Sequence, residues 1–147
     1  MGARRPPRHA DARLARVIDF FEALQPQDLQ RLRAIYTDDA FFKDPFNEVR
    51  SREAIEHIFR HMFDTLDEPR FVVTQAIAQG DQAFLTWDFL LRLRGAPQVI
   101  RGATHLRFAG DGRVEMQRDY WDAAEELYEK LPLIGALMRW LRRRAGG

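Results

Sequence analysis

The sequence predicts an α+β domain in which three N-terminal helices cover one face of a curved antiparallel meander. Three observations predict it. Apolar residues recur at helical spacing as far as Leu66, the period drops to two after Pro69, and glycine-containing turns divide the remainder into strands. A meander with one apolar face needs cover, and the helices are what the chain offers.

Residues 1–12, with Arg4, Arg5, Pro6, Pro7 and Arg8, read as a disordered basic leader. Leu14, Val17, Ile18, Phe21 and Leu24 then share one helical face, and Pro26 ends that helix. Asp28 is the expected cap of a second, short helix running to Tyr36, with Leu29, Leu32, Ile35 and Tyr36 inward. Thr37, Asp38 and Asp39 read as a solvated turn, and residues 40–44 as a strand ending at Pro45. Ser51 is the N-cap of a third helix, about residues 52–66, with Glu53 in its first turn and Ile55, Ile58, Phe59, Met62 and Leu66 buried.

Beyond Pro69, Phe71, Val73, Gln75 and Ile77 alternate with Val72, Thr74 and Ala76, and Gly80-Asp81 turns the chain. Leu85, Trp87, Phe89, Leu91 and Leu93 form one face of the next strand. After Gly95-Ala96-Pro97, Ile100, Gly102, Thr104, Leu106 and Phe108 form one face of another, with His105 outward. Gly110-Asp111-Gly112 leads into a last strand over residues 113–121. The domain thus covers residues 13–122. Asp122 and Glu125 have the spacing of a capping box, and Ile134, Leu137, Met138 and Leu141 form a stripe flanked by arginines. Residues 123–147 are therefore expected to be an amphipathic, basic helical extension.

A chain of 147 residues with 46% apolar content suits one core, and eleven Phe and three Trp supply large flat side chains for it. With no cysteine, disulfide, Cys-metal and thiol redox chemistry are excluded. No apolar stretch reads as a signal peptide or membrane span, so cytoplasm is the expected compartment. Five of the arginines lie in residues 1–16 and four in residues 139–147, which leaves an acidic body. Such a body argues against nucleic acid, which needs a continuous basic surface. The basic ends read as solvated tails or as packing on the acidic body. Membrane-surface contact through the C-terminal helix is the lesser alternative to packing on its own domain or a twin subunit.

Two carboxylates stand out. Asp44 sits between Phe42 and Phe46, where desolvation would raise its pKa toward general-base values; alternatively it only forms the turn before Pro45. Asp119 shares a strand face with Gln117 and Trp121; the alternative pairs it with Arg118 or Arg101. Glu53, His57 and His61 lie four apart on the third helix, a metal-capable spacing, but on its polar face, so no metal and no cofactor are expected. His9 and His105 show no partners in the sequence.

The element order, together with Tyr36-Thr37-Asp38-Asp39-Ala40-Phe41-Phe42-Lys43-Asp44-Pro45, Arg107-Phe108, Gly112-Arg113 and Tyr120-Trp121, resembles the ketosteroid isomerase and SnoaL-like families of the nuclear-transport-factor-2-like superfamily. The likeness spans about residues 17–121. It implies a cone-shaped fold whose concave face holds a pocket. It also implies the general base at Asp44, with Phe20 and Thr104 where the isomerases carry their two strong oxyanion donors (ketosteroid isomerase being a standard example of these roles). A Phe cannot donate a hydrogen bond and a Thr hydroxyl donates weakly, so steroid isomerisation is not expected. On the concave face, two carboxylates in one apolar cavity cannot both ionise cheaply, which makes Asp119 the acid to the base Asp44. Phe20, Phe59, Trp87, Phe89, Thr104, Gln117 and Trp121 are expected to contact the substrate, a small hydrophobic molecule.

The resemblance thus implies a cofactor-free isomerase or cyclase acting on a hydrophobic ketone-like substrate, or, as a variant, an epoxide hydrolase with an Asp-Arg-Asp set. The alternative is a non-catalytic carrier or sensor of an apolar or lipid-like metabolite. A homodimer, formed through the convex side of the sheet, is the implied assembly, and a dimerising scaffold without a ligand the third option.

Overall fold

The computed structural model describes residues 9–93 and 95–122, so the expected leader and the C-terminal extension lie largely outside the described residues. Helix α1 (Ala12–Glu22) starts where Asp11 accepts the backbone N–H groups of Arg13 and Leu14 at 2.9 and 3.3 Å. It buries Leu14, Val17 and Ile18, the stripe expected from their spacing. A 3-10 helix follows over Pro26–Ala34. Asp28 does not cap it from outside. Asp28 sits three positions further in and accepts the N–H of Gln25 at 3.0 Å, because Pro26 already occupies the first helical position.

Strand β1 (Tyr36–Lys43) begins earlier than expected, and Thr37, Asp38 and Asp39 belong to it rather than to a turn. Residues that favour turns are tolerated there because Asp38 and Asp39 face solvent, where Asp38 meets Arg52 of the next helix at 2.7 Å. A register shift between Tyr36 and Phe41 accompanies them. After a short β2 (Glu48–Val49), helix α2 (Arg52–Thr65) is capped by Ser51 Oγ, which accepts the Ala54 N–H at 3.1 Å. It buries Ile55, Ile58, Phe59 and Met62.

The meander comprises β3 (Asp67–Gln79), β4 (Gln82–Leu93), β5 (Ala96–Phe108) and β6 (Val114–Tyr120). These strands pair antiparallel in sequence order, but β1 joins β6 in parallel, so the six-stranded sheet β2-β1-β6-β5-β4-β3 is mixed. No hairpin links β1 to β6: the chain passes through α2 and the whole meander between them, so nothing forces their directions to alternate. The turn into β5 is also tighter than expected, since Ala96 and Pro97 already pair with Leu93 and Arg92.

In β3 the alternation breaks. Val73 pairs with Trp87 and Gln75 with Thr86, leaving Thr74 as an extra residue. At this irregularity the Val73 N–H is accepted by Glu22 of α1 at 2.8 Å. Beyond the bulge Ala76 and Ala78 turn inward, and Ile77, which alternation groups with Phe71 and Val73, is 67% exposed. On the other strands the inner face is as the period predicts, with Leu85, Trp87, Phe89, Leu91, Ile100, Thr104, Leu106 and Phe108 buried against the helices. No helix among the described residues is long and apolar enough to cross a membrane.

Candidate functional site

Between sheet and helices lies a hollow of about 40 Å³, walled by Ile18 and Phe21 of α1, Phe59 of α2, Phe71, Trp87, Thr104, Gln117 and Asp119, among others. That volume holds a few waters, whereas small-molecule sites run to about 300–1,000 Å³. Aromatic side chains crowd this space: Phe21 lies 5.5 Å from Phe59, which was expected to line it, and 6.1 Å from Phe71, which was not, centre to centre. Phe21, and not Phe20, faces this space. Phe20 is half-buried beside Phe21, with the Arg31 guanidinium over its ring at 5.9 Å. Phe89 is buried but outside the lining, stacked on Phe71 at 4.7 Å.

The polar wall of the hollow is one connected chain of hydrogen bonds. Trp87 Nε1 donates to Thr104 Oγ1 at 2.8 Å, Thr104 Oγ1 donates to Asp119 Oδ1 at 2.7 Å, and Gln117 Nε2 donates to the same Oδ1 at 3.0 Å. Behind Gln117, the Tyr36 hydroxyl donates to Gln117 Oε1 at 2.5 Å. Thr104 and Gln117 are the buried polar residues of the described core. Their strands set this up, since Thr104 and Asp119 are cross-strand partners in β5 and β6. Gly102 contributes by what it lacks. It pairs with Trp87, and a Cβ there would come within 2.4 Å of the indole ring. Without that atom the indole lies across β5 and reaches Thr104.

Asp119 is held by Thr104 and Gln117, not in the arginine pairing considered from sequence. Burial pushes its pKa up to about 7; the Thr104 and Gln117 bonds pull it down and the nearby Asp44 charge raises it. Asp44 is placed differently. Its Oδ1 accepts the N–H groups of Phe46 and Asn47 at 2.8 and 2.6 Å, and Asn47 Nδ2 reaches both carboxylate oxygens at 3.1 and 3.0 Å. These bonds close the turn between β1 and β2, the local role weighed for it as the alternative to chemistry.

Both carboxylates line a second, open pocket of about 900 Å³ where β6 ends, bordered also by Trp87, Arg101, Arg118 and Trp121, with Trp121 packed on Phe46 at 5.6 Å. Trp87 and Asp119 border both spaces; the open one also takes in Thr86, Asp88, Ala103 and Tyr120, which alternate with the inward residues of their strands, so it lies largely on the outer side of the sheet.

Elsewhere, Glu53, His57 and His61 line a groove on the outer side of α2, and among the described residues no group of three His, Cys, Asp or Glu is placed to hold a metal ion. His105 does have partners: Gln82 Oε1 at 2.7 Å, and the Phe84 ring stacked at 4.4 Å. His9 Nδ1 accepts the Asp11 N–H at 3.1 Å. From sequence Tyr36 reads as an inward core residue, with no link to the site. Its inward position was legible, but nothing in the spacing joins residue 36 to residue 117.

A bent mixed sheet closed by three helices is the architecture of the nuclear-transport-factor-2-like proteins, and solved structures of that class superpose on this one. A hypothetical protein with a ketosteroid isomerase-like fold from Catenulispora acidiphila, in complex with trimethylamine, does so with a TM-score of 0.70 at 18% identity, covering 85% of this chain and 97% of that one. TerC, co-crystallised with polyporic acid, gives 0.68 at 17% identity over 82% and 100% of the two chains. An LEH-like epoxide hydrolase from M. tuberculosis gives 0.67 at 20% identity over 88% and 92%. At these identities the likeness establishes the fold alone. A family model described as a SnoaL-like domain matches residues 17–116, and the chain belongs to that family. No curated protein matches it in sequence.

Proposed function

We propose that this SnoaL-like protein binds a small hydrophobic ketone-like molecule and catalyses cofactor-free proton transfer on it, as an isomerase or cyclase, with Asp119 as the proton-carrying group. One observation carries this: a half-buried carboxyl, its pKa near neutrality, borders both the open pocket and the aromatic hollow. A general base works best when its pKa lies near the working pH. Ionised Asp119 takes a proton from the carbon beside a carbonyl. The C–H electron pair becomes the new C=C of an enolate, and the carboxyl returns the proton at another carbon. Nothing else is consumed.

Asp44, expected as the base, has its oxygens occupied by its own turn. It serves as a fixed negative charge that keeps the proton on Asp119. The enolate is left without strong donors at Phe20 and Thr104, since the Thr104 proton already points at Asp119. Missing donors of that kind cost a few kcal/mol each in the transition state. The fitting substrates are therefore those with an already acidic C–H, such as β-dicarbonyl compounds with an apolar body. The epoxide variant is less favoured, because Thr104 and Gln117 hold Asp119 where that chemistry needs an arginine.

The test is deuterium uptake. The protein is incubated with a panel of hydrophobic β-dicarbonyl compounds in D₂O and followed by mass spectrometry, beside Asp119→Asn and Asp44→Asn. Wild type should speed exchange, with a rate that rises with pH and levels above about 7, the value at which Asp119 ionises. Asp119→Asn should lose about 100-fold or more. Asp44→Asn should keep activity and shift the rise to lower pH, because the charge that raises Asp119 is gone. Equal exchange by Asp119→Asn would end the proposal, and one compound retained without exchange would point to a carrier.

A further inference from the structure

Tyr36 is 0% exposed, and its hydroxyl is bonded to Gln117 Oε1. A buried phenol O–H without an acceptor is costly, so Tyr36 must donate, and Gln117 must turn its carbonyl oxygen toward it. The amide N–H of Gln117 is thereby aimed at Asp119 Oδ1. On the other side the Trp87 indole N–H, which can only donate, takes a lone pair of Thr104 Oγ1 and leaves the single Thr104 proton directed at the same Oδ1. Two independent chains of donors thus end on one oxygen.

We infer that Tyr36 and Gln117 are positioning residues which, with Thr104, decide which oxygen of Asp119 carries the proton: Oδ1 is held as a double acceptor, and the proton sits on Oδ2. This deepens the proton-transfer role proposed for Asp119 and rests on it for its chemical use. Tyr36 on β1 and Asp44 just beyond it are coupled to Asp119 through their charges; Lys43, Asp88, Arg101, Arg118 and Asp122 share its open pocket, and α1, α2 and β3 turn apolar side chains to the hollow. Burial and the Asp119 charge hold the Tyr36 phenol well above its ordinary pKa, so it remains a donor throughout the range in which Asp119 titrates.

The arrangement is read by following the Asp119 carboxyl carbon through pH by ¹³C NMR in the full-length chain, with the carbonyl stretch of the protonated acid taken as the infrared difference between wild type and Asp119→Asn. A proton on Oδ2 leaves Oδ1 as a carbonyl oxygen accepting two bonds, so the wild-type stretch should fall at the low end for a carboxylic acid. Gln117→Leu should raise the stretch and move the titration up by about one pH unit, because a donor to the anion is lost. Tyr36→Phe, which touches neither oxygen, should move both in the same direction by releasing the amide. If the amide were reversed, Asp119 would instead donate to Gln117 from Oδ1, and Gln117→Leu would lower the titration. That result, an unshifted Tyr36→Phe, or a wild-type stretch typical of a free acid would overturn the inference. Neither readout uses a substrate. A failed deuterium exchange would therefore end the catalytic proposal and leave this placement of the proton intact.

Discussion

At position 102 a hydrogen in place of a side chain decides how the polar wall is wired. Gly102→Ala would set a Cβ 2.4 Å from the Trp87 ring atoms, so the indole must lift from β5 and its bond to Thr104 must stretch or break. Overpacking of this kind costs about 1–3 kcal/mol, and urea unfolding of the variant should show a midpoint lowered to match. An unchanged midpoint would mean that the indole has room to move. Residue by residue, the strand positions were the most legible. Period-two alternation puts Thr104 on the apolar face of its strand and Gln117 with Asp119 on one face of the next, which the resemblance makes the concave one, and all three are found at the hollow. The helical position was legible in the spacing too: Leu14, Val17, Ile18 and Phe21 share a stripe. Phe20 came from carrying a family position across by resemblance, one residue out of step with that stripe. Periodicity reports this chain's own burial, whereas a carried-over position inherits the relative's helix rotation.

At the scale of elements, irregularities escaped the sequence. The bulge at Thr74 turns Ile77 outward and lets Ala76 and Ala78 pack inward. Beside it the Glu22 carboxylate takes the Val73 N–H across a separation of 51 residues, a contact no local pattern announces. Glu22→Ala should leave that amide without its acceptor and loosen β3 locally. Hydrogen exchange at Val73 is expected to quicken about tenfold, the equivalent of one hydrogen bond to a charged group. Protection at Leu85 and Leu106, in the centre of the sheet, should hold. If Val73 exchanged as in wild type, the carboxylate would not be what secures the bulge. The early start of β1 has a similar origin, since Asp38 is stabilised on an exposed strand by Arg52, which belongs to an element not yet formed in a left-to-right reading.

For the whole molecule, the order of elements was legible because each boundary carries a cap or a turn. The parallel seam between β1 and β6 was not, because strand direction across a long connection is settled by global closure. The most global consequence of the site is the pH dependence of stability. Asp119 titrates near 7 in the folded chain against 3.8 when unperturbed. Below 3.8 both states hold the proton. Between about 4 and about 7 the unfolded chain has lost it and the folded chain has not, so stability falls steadily as pH rises and levels off above 7. A shift of this size corresponds to a few kcal/mol across the window. Asp11, held down to about 2 by Arg13, works in the opposite sense, giving stability that is lost as pH falls from 3.8 toward 2. Stability should therefore peak between these two windows, on the acidic side of neutrality. Urea midpoints at about pH 5 and about pH 8 should differ in wild type, with the lower value at the higher pH; in Asp119→Asn that fall should vanish, leaving only the opposite rise from His105, whose pKa burial lowers. A wild-type midpoint that stays level across this interval would mean that the carboxyl ionises as readily in the fold as in water, and the proton it is proposed to shuttle would not be there to move.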